Sequence, residues 1–299
     1  MRYTVWTAIV LAVSSMAAAC SRPAASGGQA ARSQGSPRRI VSIVPAVTEM
    51  LFAIGAGPKV AAVSSFDTWP PEVASLPKVG ALLDPDIERI IRLRPDLVVV
   101  YGADSELRTK LGRAGIRTFP YVMGGLSNLA RTMRDLGREV GMTAGAEQAA
   151  AAIEARLDAI RHRVAGRPRV RTLLVFGREP GALRAIDASG GTGFLSDIVE
   201  LGGGENVFAA VKREAVRVGT EEILAARPEV IIDLHYGRSM SPDQVDRERA
   251  VWKGLSAVPA VREGRVALLV GNEFVVPGPR LVDAAEAIAD VIHPQRRTR

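Results

Sequence analysis

Asp86-Ile-Glu-Arg-Ile-Ile-Arg-Leu-Arg-Pro95, followed by Asp96-Leu-Val-Val-Val-Tyr101, decides the architecture. The first part places apolar residues at helical spacing, and the second is a short strand apolar on both faces, which suits a buried parallel sheet. The unit recurs. Glu221-Glu-Ile-Leu-Ala-Ala-Arg-Pro228-Glu-Val-Ile-Ile-Asp233 repeats the run from Glu88 to Val100, with both the Glu pair and the Pro pair 133 positions apart (221 − 88 and 228 − 95). Ala53-Ile-Gly-Ala-Gly-Pro-Lys-Val60 is likewise matched by Glu200-Leu-Gly-Gly-Gly-Glu-Asn-Val207. Helix–proline–strand junctions are common in α/β proteins, but equal spacing of two residues makes coincidence the weaker account. Two βα lobes of like design are expected.

Working outward, Arg39 to Pro45 reads as a strand, and Ala46 to Ile54 as a helix stopped at Gly55-Ala-Gly57. Between the halves, Thr143 to Val164 carries Ile153, Leu157 and Ile160 on one side and contains no proline, so it predicts a long connecting helix ended by Gly166-Arg-Pro168. Such a connection resists bending, and only small lobe movement is expected on ligand binding. In the second half, Val170–Phe176, Val230–Leu234 and Val266–Val270 read as strands, with helices at Phe194–Leu201, Thr220–Ala226 and Arg280–Ile292. The fold class is α/β: two Rossmann-like lobes joined by a single long helix, with a ligand cleft between lobes where strand carboxyl ends gather. The expected organisation is a signal at 1–20, a flexible linker at 21–38, an N-terminal lobe at 39–142, the connecting helix at 143–166 and a C-terminal lobe at 167–299.

The 299 residues, 47% hydrophobic and 24% charged, suffice for two compact lobes. The net charge is +7, but Arg2, Arg22, Arg32, Arg38, Arg39, Arg296, Arg297 and Arg299 carry much of the excess outside the expected fold. Aromatic residues make up 5% and no run interleaves them with Lys or Arg, so nucleic acid is not an expected partner. Met1 and Arg2, the apolar stretch Val5 to Val13 and the small residues Ala17 to Ala19 form an export signal, too short to span a bilayer of about 20 helical residues. Cys20 is the only cysteine, which rules out an intramolecular disulfide. Its place at the cleavage boundary resembles a bacterial lipoprotein signal, with Cys20 as the lipidation site, although Ala17 stands where such signals usually carry Leu; cleavage at Ala19 and release is the alternative. Ser21 to Arg38 lacks large apolar residues and reads as a tether.

With these residues in hand, the chain resembles the periplasmic binding proteins of the iron-siderophore, haem and cobalamin ABC importers, class III, and most of all their cobalamin-binding members. The resemblance runs from about Arg39 to Ile292 and rests on Arg39-Ile-Val-Ser-Ile-Val-Pro-Ala-Val-Thr-Glu49, Leu76-Pro-Lys-Val-Gly80, Ile87 to Val98, Gly202-Gly-Gly-Glu-Asn-Val-Phe208 and Thr220-Glu-Glu-Ile-Leu224. It implies capture of a corrinoid outside the inner membrane and delivery to a permease, by a monomer held in the periplasm or at the cell surface through Cys20. It also implies that Glu88 and Glu221 pair with permease arginines. Each Glu alone could instead favour its helix dipole. The ligand is expected against Phe66, Trp69, Tyr101 and Tyr236, whose faces suit a flat macrocycle, with Arg178 and Asn272 as polar contacts and Phe274 nearby. Arg280 reads as a brace for the last helix. The chain departs from the family pattern in two ways. Cobalamin binders typically place Trp before each docking Glu, where this chain has Ala81-Leu82-Leu83 and Ala215, and the haem-binding relatives' Tyr near Ala81 is missing. A ferric siderophore or haem remains an alternative ligand.

No cofactor is expected, the ligand itself being a metal-containing corrinoid or chelate. No G-x-x-x-x-G-K-S/T loop, G-x-S-x-G elbow or H-E-x-x-H pair is present, and His162, His235 and His293 are too scattered to build a metal site. Asp84, Asp86 and Glu88 read as helix N-terminal charges. An exported enzyme resembling a metal chelatase is the rival from another class, and a structural surface lipoprotein a third reading.

Overall fold

The computed structural model describes residues 35–102, 106–237 and 239–294. The signal, Cys20 and most of the linker lie outside the described residues. The first lobe holds four parallel strands, β1 (Ile40–Ser42), β2 (Val60–Val63), β3 (Leu97–Tyr101) and β4 (Arg117–Tyr121), in the order β2-β1-β3-β4. Helices α1 (Pro45–Ala53), α2 (Ile87–Arg92), α3 (Glu106–Arg113) and α4 (Asn128–Val140) flank them. Leu97 to Val100 are all fully buried, which is why this strand is apolar without alternation. The long helix α5 (Thr143–Val164) follows, 22 residues and about 33 Å at 1.5 Å per residue.

The second lobe runs β5 (Val170–Gly177), β6 (Ile186–Ser189), α6 (Phe194–Leu201), β7 (Gly204–Asn206), β8 (Ala215–Val218), α7 (Thr220–Ala226), β9 (Val230–His235), α8 (Pro242–Val251), α9 (Pro259–Arg262), β10 (Val266–Val270) and α10 (Leu281–Ile292). Strands β7, β5, β9 and β10 are parallel neighbours in that order, reproducing β2-β1-β3-β4. The lobe adds two strands: β6 runs antiparallel to the carboxyl-terminal end of β5, and β8 antiparallel to β6. The first sheet is therefore parallel and the second mixed.

The repeat read in the sequence extends to side chains and backbone. Ile90 and Ile223 are the buried anchors of α2 and α7. Arg94 and Arg227, the residues before Pro95 and Pro228, both adopt left-handed backbone (φ 49° and 47°) although neither is glycine. Arg39 Nε donates to Leu93 O (2.5 Å) and Arg171 Nη2 to Ala226 O (2.6 Å), each satisfying a carbonyl at a helix end. Asp96 Oδ2 accepts from Arg39 N (2.9 Å), as Glu229 Oε2 does from Arg171 N (3.0 Å). One local device, built twice, sets where each helix stops and its strand begins.

Helix α5 buries Ala146, Ala150, Ile153, Leu157 and Ile160, one face at spacings of three and four. Gly137 lets α4 approach closely, since a Cβ there would lie 2.2 Å from that of Ala146. On the outside, Arg134 of α4 pairs with Glu147 and Glu154 of α5 (2.7 Å each), and Arg156 of α5 with Asp283 and Glu286 of α10 (2.6 and 2.8 Å). Buried residues of both lobes, from Ile40 to Ile292, form one contiguous cluster. The linker helix thus lies within a shared core, and the opposite face of the second sheet packs a separate cluster around Trp252.

Candidate functional site

The carboxyl ends of the strands deliver the loops that meet between the lobes. After β2, the buried Asp67 accepts at Oδ2 from Ser64 N (2.8 Å) and Ser64 Oγ (2.5 Å), and Lys78 Nζ donates to its carbonyl (3.0 Å). Burial raises the Asp67 carboxyl above its ordinary value of 3.8, and the Ser64 hydrogen bonds pull it back. This pinned turn turns Phe66 outward, 67% exposed, with Trp69 44% exposed beyond it.

Trp69 is held from the other lobe. The Arg280 guanidinium, at the start of α10, sits 4.9 Å from its ring centroid. The same group grips the buried Glu49 of α1 in a bidentate pair (Nη2–Oε1 2.6 Å, Nε–Oε2 3.1 Å) and reaches Glu273 at 3.3 Å. Burial raises the Glu49 carboxyl above 4.5, opposed by the hydrogen bond and charge of Arg280. Asn272, just past β10, donates through Nδ2 to Thr68 Oγ1 (3.1 Å) and accepts at Oδ1 from Gly237 N (2.8 Å). Asp197 of α6 accepts from Leu126 N in the first lobe (2.7 Å). Three polar ties therefore join the lobes along the floor of the cleft.

On the second-lobe wall lies a pocket of about 370 Å³, lined mainly by Phe176, Phe194, Leu195, Tyr236 and Val275, with Glu214 and Ala215 at its side. Phe194 also borders the narrow gap between lobes formed with Met50, Tyr121 and Pro277, so the pocket adjoins the cleft. Gly193, in left-handed backbone (φ 85°), turns the chain into α6 and brings Phe194 to this position. Tyr101 is half-buried at the end of β3, its ring 6.5 Å from that of Tyr121. Burial, with Tyr101 beside it, pushes the Tyr121 hydroxyl up to about 12.

The structure brings Phe66, Trp69, Tyr101, Tyr236 and Asn272 to the strand ends around the cleft, and corrects two expectations. Arg178, expected at the ligand, has a side chain only 2% exposed, paired with Asp233 (2.9 Å) and Glu248 (2.8 Å). Asp233 Oδ2 also accepts from Trp252 Nε1 (2.9 Å), so Arg178 neutralises carboxylates under the loop and does not face ligand. Phe274 is 6% exposed and belongs to the shared core. The short turn Asn272–Phe274 sends its aromatic inward while Asn272 stays at the cleft. Arg280, read as a brace for its own helix, braces the opposite lobe.

A family model described as periplasmic binding protein matches residues 40–272. The chain belongs to the periplasmic binding protein family. Among curated relatives, the vitamin B12-binding proteins of Yersinia pestis and Yersinia pseudotuberculosis are 29% identical to it over 252 residues, 84% of each chain. Among solved structures, the periplasmic vitamin B12 binding protein of Vibrio cholerae superposes with a TM-score of 0.73 at 25% identity, covering 86% of this chain and 97% of the other. A periplasmic haem binding protein of Pseudomonas aeruginosa has the same fold, with a TM-score of 0.73 at 24% identity over 87% and 94% of the two chains.

In this binding protein Glu88 and Glu221 stand in the first turns of α2 and α7, both exposed. Their neighbours do the capping: Asp86 Oδ1 accepts from Arg89 N (2.9 Å), and Glu222 Oε2 from Gly219 N (2.9 Å). Among the described residues, neither Glu88 nor Glu221 makes a side-chain hydrogen bond or ion pair. The sequence reading missed Phe176, Phe194 and the Glu49–Arg280 pair. Gly190-Gly-Thr-Gly193 ahead of Phe194 was the available signal for the turn, whereas a pair 231 positions apart left none.

Proposed function

We propose that this protein captures a corrinoid between its lobes and hands it to the permease of an ABC importer. The observation that carries the reading is the set of exposed aromatics at strand ends, Phe66 and Trp69 from the first lobe and Tyr236 from the second, where Tyr236 lines an apolar pocket that adjoins the cleft, in a chain similar along most of its length to vitamin B12-binding proteins. At about 370 Å³ the pocket suits one heterocyclic arm, leaving the macrocycle to spread over the aromatic rim. Glu88 and Glu221, free of capping duty, dock the two lobes on permease cations, and the rigid separation of the lobes sets the register. Cys20 carries a lipid that keeps the monomeric protein at the membrane, with residues 21–38 as tether. The protein captures its ligand without turning it over.

Calorimetric titration with cyanocobalamin, haemin and a ferric siderophore tests the ligand class, with Trp69 emission reporting the cleft. Trp252 is fully buried and serves as an internal constant. One-to-one binding of cyanocobalamin with quenching of Trp69 is expected, and preferential binding of haemin or of the siderophore would replace the corrinoid reading. Incubation with porphyrin and divalent metal should give no metallated product; turnover would establish the enzyme reading.

A further inference from the structure

Among the described residues, seven large apolar or aromatic side chains are exposed. Phe66, Trp69, Val122 and Tyr236 follow β2, β4 and β9 and stand near the cleft, and Leu83 tips the turn closed between Gly80 and Pro85. The other two are Ile91 (41% exposed) and Leu224 (39% exposed), on α2 and α7. Single exposed aliphatics are ordinary on protein surfaces. These two, however, are 133 positions apart (224 − 91), the interval of the repeat, and each lies three residues after the unpaired Glu of its helix. Three residues is the spacing that puts two side chains on one helix face. The preceding residues, Ile90 and Ile223, already anchor each helix to its lobe, so packing does not demand a second aliphatic beside them.

We propose that Ile91 and Leu224 are paired apolar anchors, one on each lobe, that seat in two apolar pockets of the importer's outward surface, each beside the cation that receives Glu88 or Glu221. The proposal rests on the docking role given to those glutamates. The partner's chemistry follows from the repeat: it presents a cation and an apolar recess together, twice, to meet two like faces. An apolar contact next to the carboxylate keeps water from the ion pair, as near-neutral contacts do around interface hot spots. It also supplies attraction that salt does not screen.

The test uses right-side-out membrane vesicles from source cells lacking this protein, with sedimentation at 0.1 and 0.5 M NaCl of purified full-length protein and variants that all carry Cys20→Ala, so that no lipid holds them to the membrane. Wild type should co-sediment, and Glu88→Ala/Glu221→Ala should lose most binding at low salt. Ile91→Ser/Leu224→Ser should weaken association about tenfold per site at both salt concentrations, while its cyanocobalamin titration matches wild type. Ile91→Met/Leu224→Met, which keeps apolar bulk, should bind like wild type, so a folding defect in the Ser variant cannot pass for lost docking. If the glutamate variant fails to dock while the Ser variant docks normally, the anchors are refuted and the glutamate role stands. If the glutamate variant docks normally, the docking role itself falls, and the anchors with it. Concentration-dependent dimers of wild type that Ile91→Ser/Leu224→Ser abolishes would reassign the face to self-association and overturn the proposal.

Discussion

Replacing Arg280 with Met keeps most of the side-chain length and removes the charge that neutralises Glu49 across the cleft floor. At neutral pH the variant leaves a buried carboxylate ionised without its partner. Removing one member of a buried ion pair costs about 3–5 kcal/mol. Because the Arg280 side chain keeps 19% of its exposure, the lower end applies, about 3 kcal/mol. At about 2–4 °C per kcal/mol for a chain of this size, the melting temperature should fall by about 6–12 °C. The pH dependence identifies the cause. Burial already raises the Glu49 carboxyl above 4.5, and the hydrogen bond and charge of Arg280 oppose that rise, so losing Arg280 raises it further. A carboxyl raised in the folded state favours folding when protonated, and that stability is lost as pH rises through the folded value. The deficit of the variant should therefore be largest near pH 8 and shrink toward pH 5. Glu49→Gln/Arg280→Met should recover most of the loss. Scanning calorimetry of the three proteins at both pH values decides the matter. An equal deficit at each pH, with no recovery in the double variant, would refute charge neutralisation and leave packing on Trp69 as the role of Arg280.

Four further outcomes are expected. Phe66→Ala and Tyr236→Ala should each weaken cyanocobalamin binding about tenfold by titration and leave the melting temperature nearly unchanged, because neither side chain is part of the buried core. Arg178→Met should lower stability by about 3 kcal/mol in urea unfolding while ligand affinity holds; lost affinity in the folded variant would return Arg178 to the binding site. Spin labels at Ser75 and Glu263 should move by less than about 2 Å on ligand binding, and a larger shift in the distance distribution would overturn the rigid linkage. Finally, Arg134 and Arg156 hold Glu147, Glu154 and Glu286 below 4.5. Their contribution is present above that value and lost as pH falls through the lowered ones. Arg134→Gln/Arg156→Gln should flatten the fall in melting temperature between pH 5 and pH 3.

The sequence made the parallel-sheet elements legible where one physical signal dominated. Apolar runs marked β3, β10 and, interrupted only at Asp233, β9, and 22 residues without proline marked α5. The two added strands escaped notice for a physical reason. In β8, Ala215-Val-Arg-Val218 is short and buries only Val218, and β6 contains an Asp that pairs with Arg217 across the ladder. Neither carries a strong apolar signature. At the site, aromatics near strand ends were legible because topology places such ends at the cleft. Arg178 misled because a cation after a strand can face ligand or turn back beneath its loop. Only the positions of Asp233 and Glu248, 55 and 70 residues away, settle which.

The inserted β6 and β8 have a consequence for how such a protein can change. One side of the pocket, Thr192, Gly193, Glu214 and Ala215, lies in or beside the strands that only the second lobe has, whereas Phe176, Phe194, Leu195 and Tyr236 come from elements that both lobes share. Glu88, Glu221 and the braces that end their helices lie in the duplicated part. One wall of the pocket and the glutamates proposed to dock therefore lie in different stretches of chain. If those glutamates dock as proposed, substitutions in the added strands alter one wall of the pocket and leave the docking framework untouched, so diversification of cargo need not wait for a matching change in the membrane.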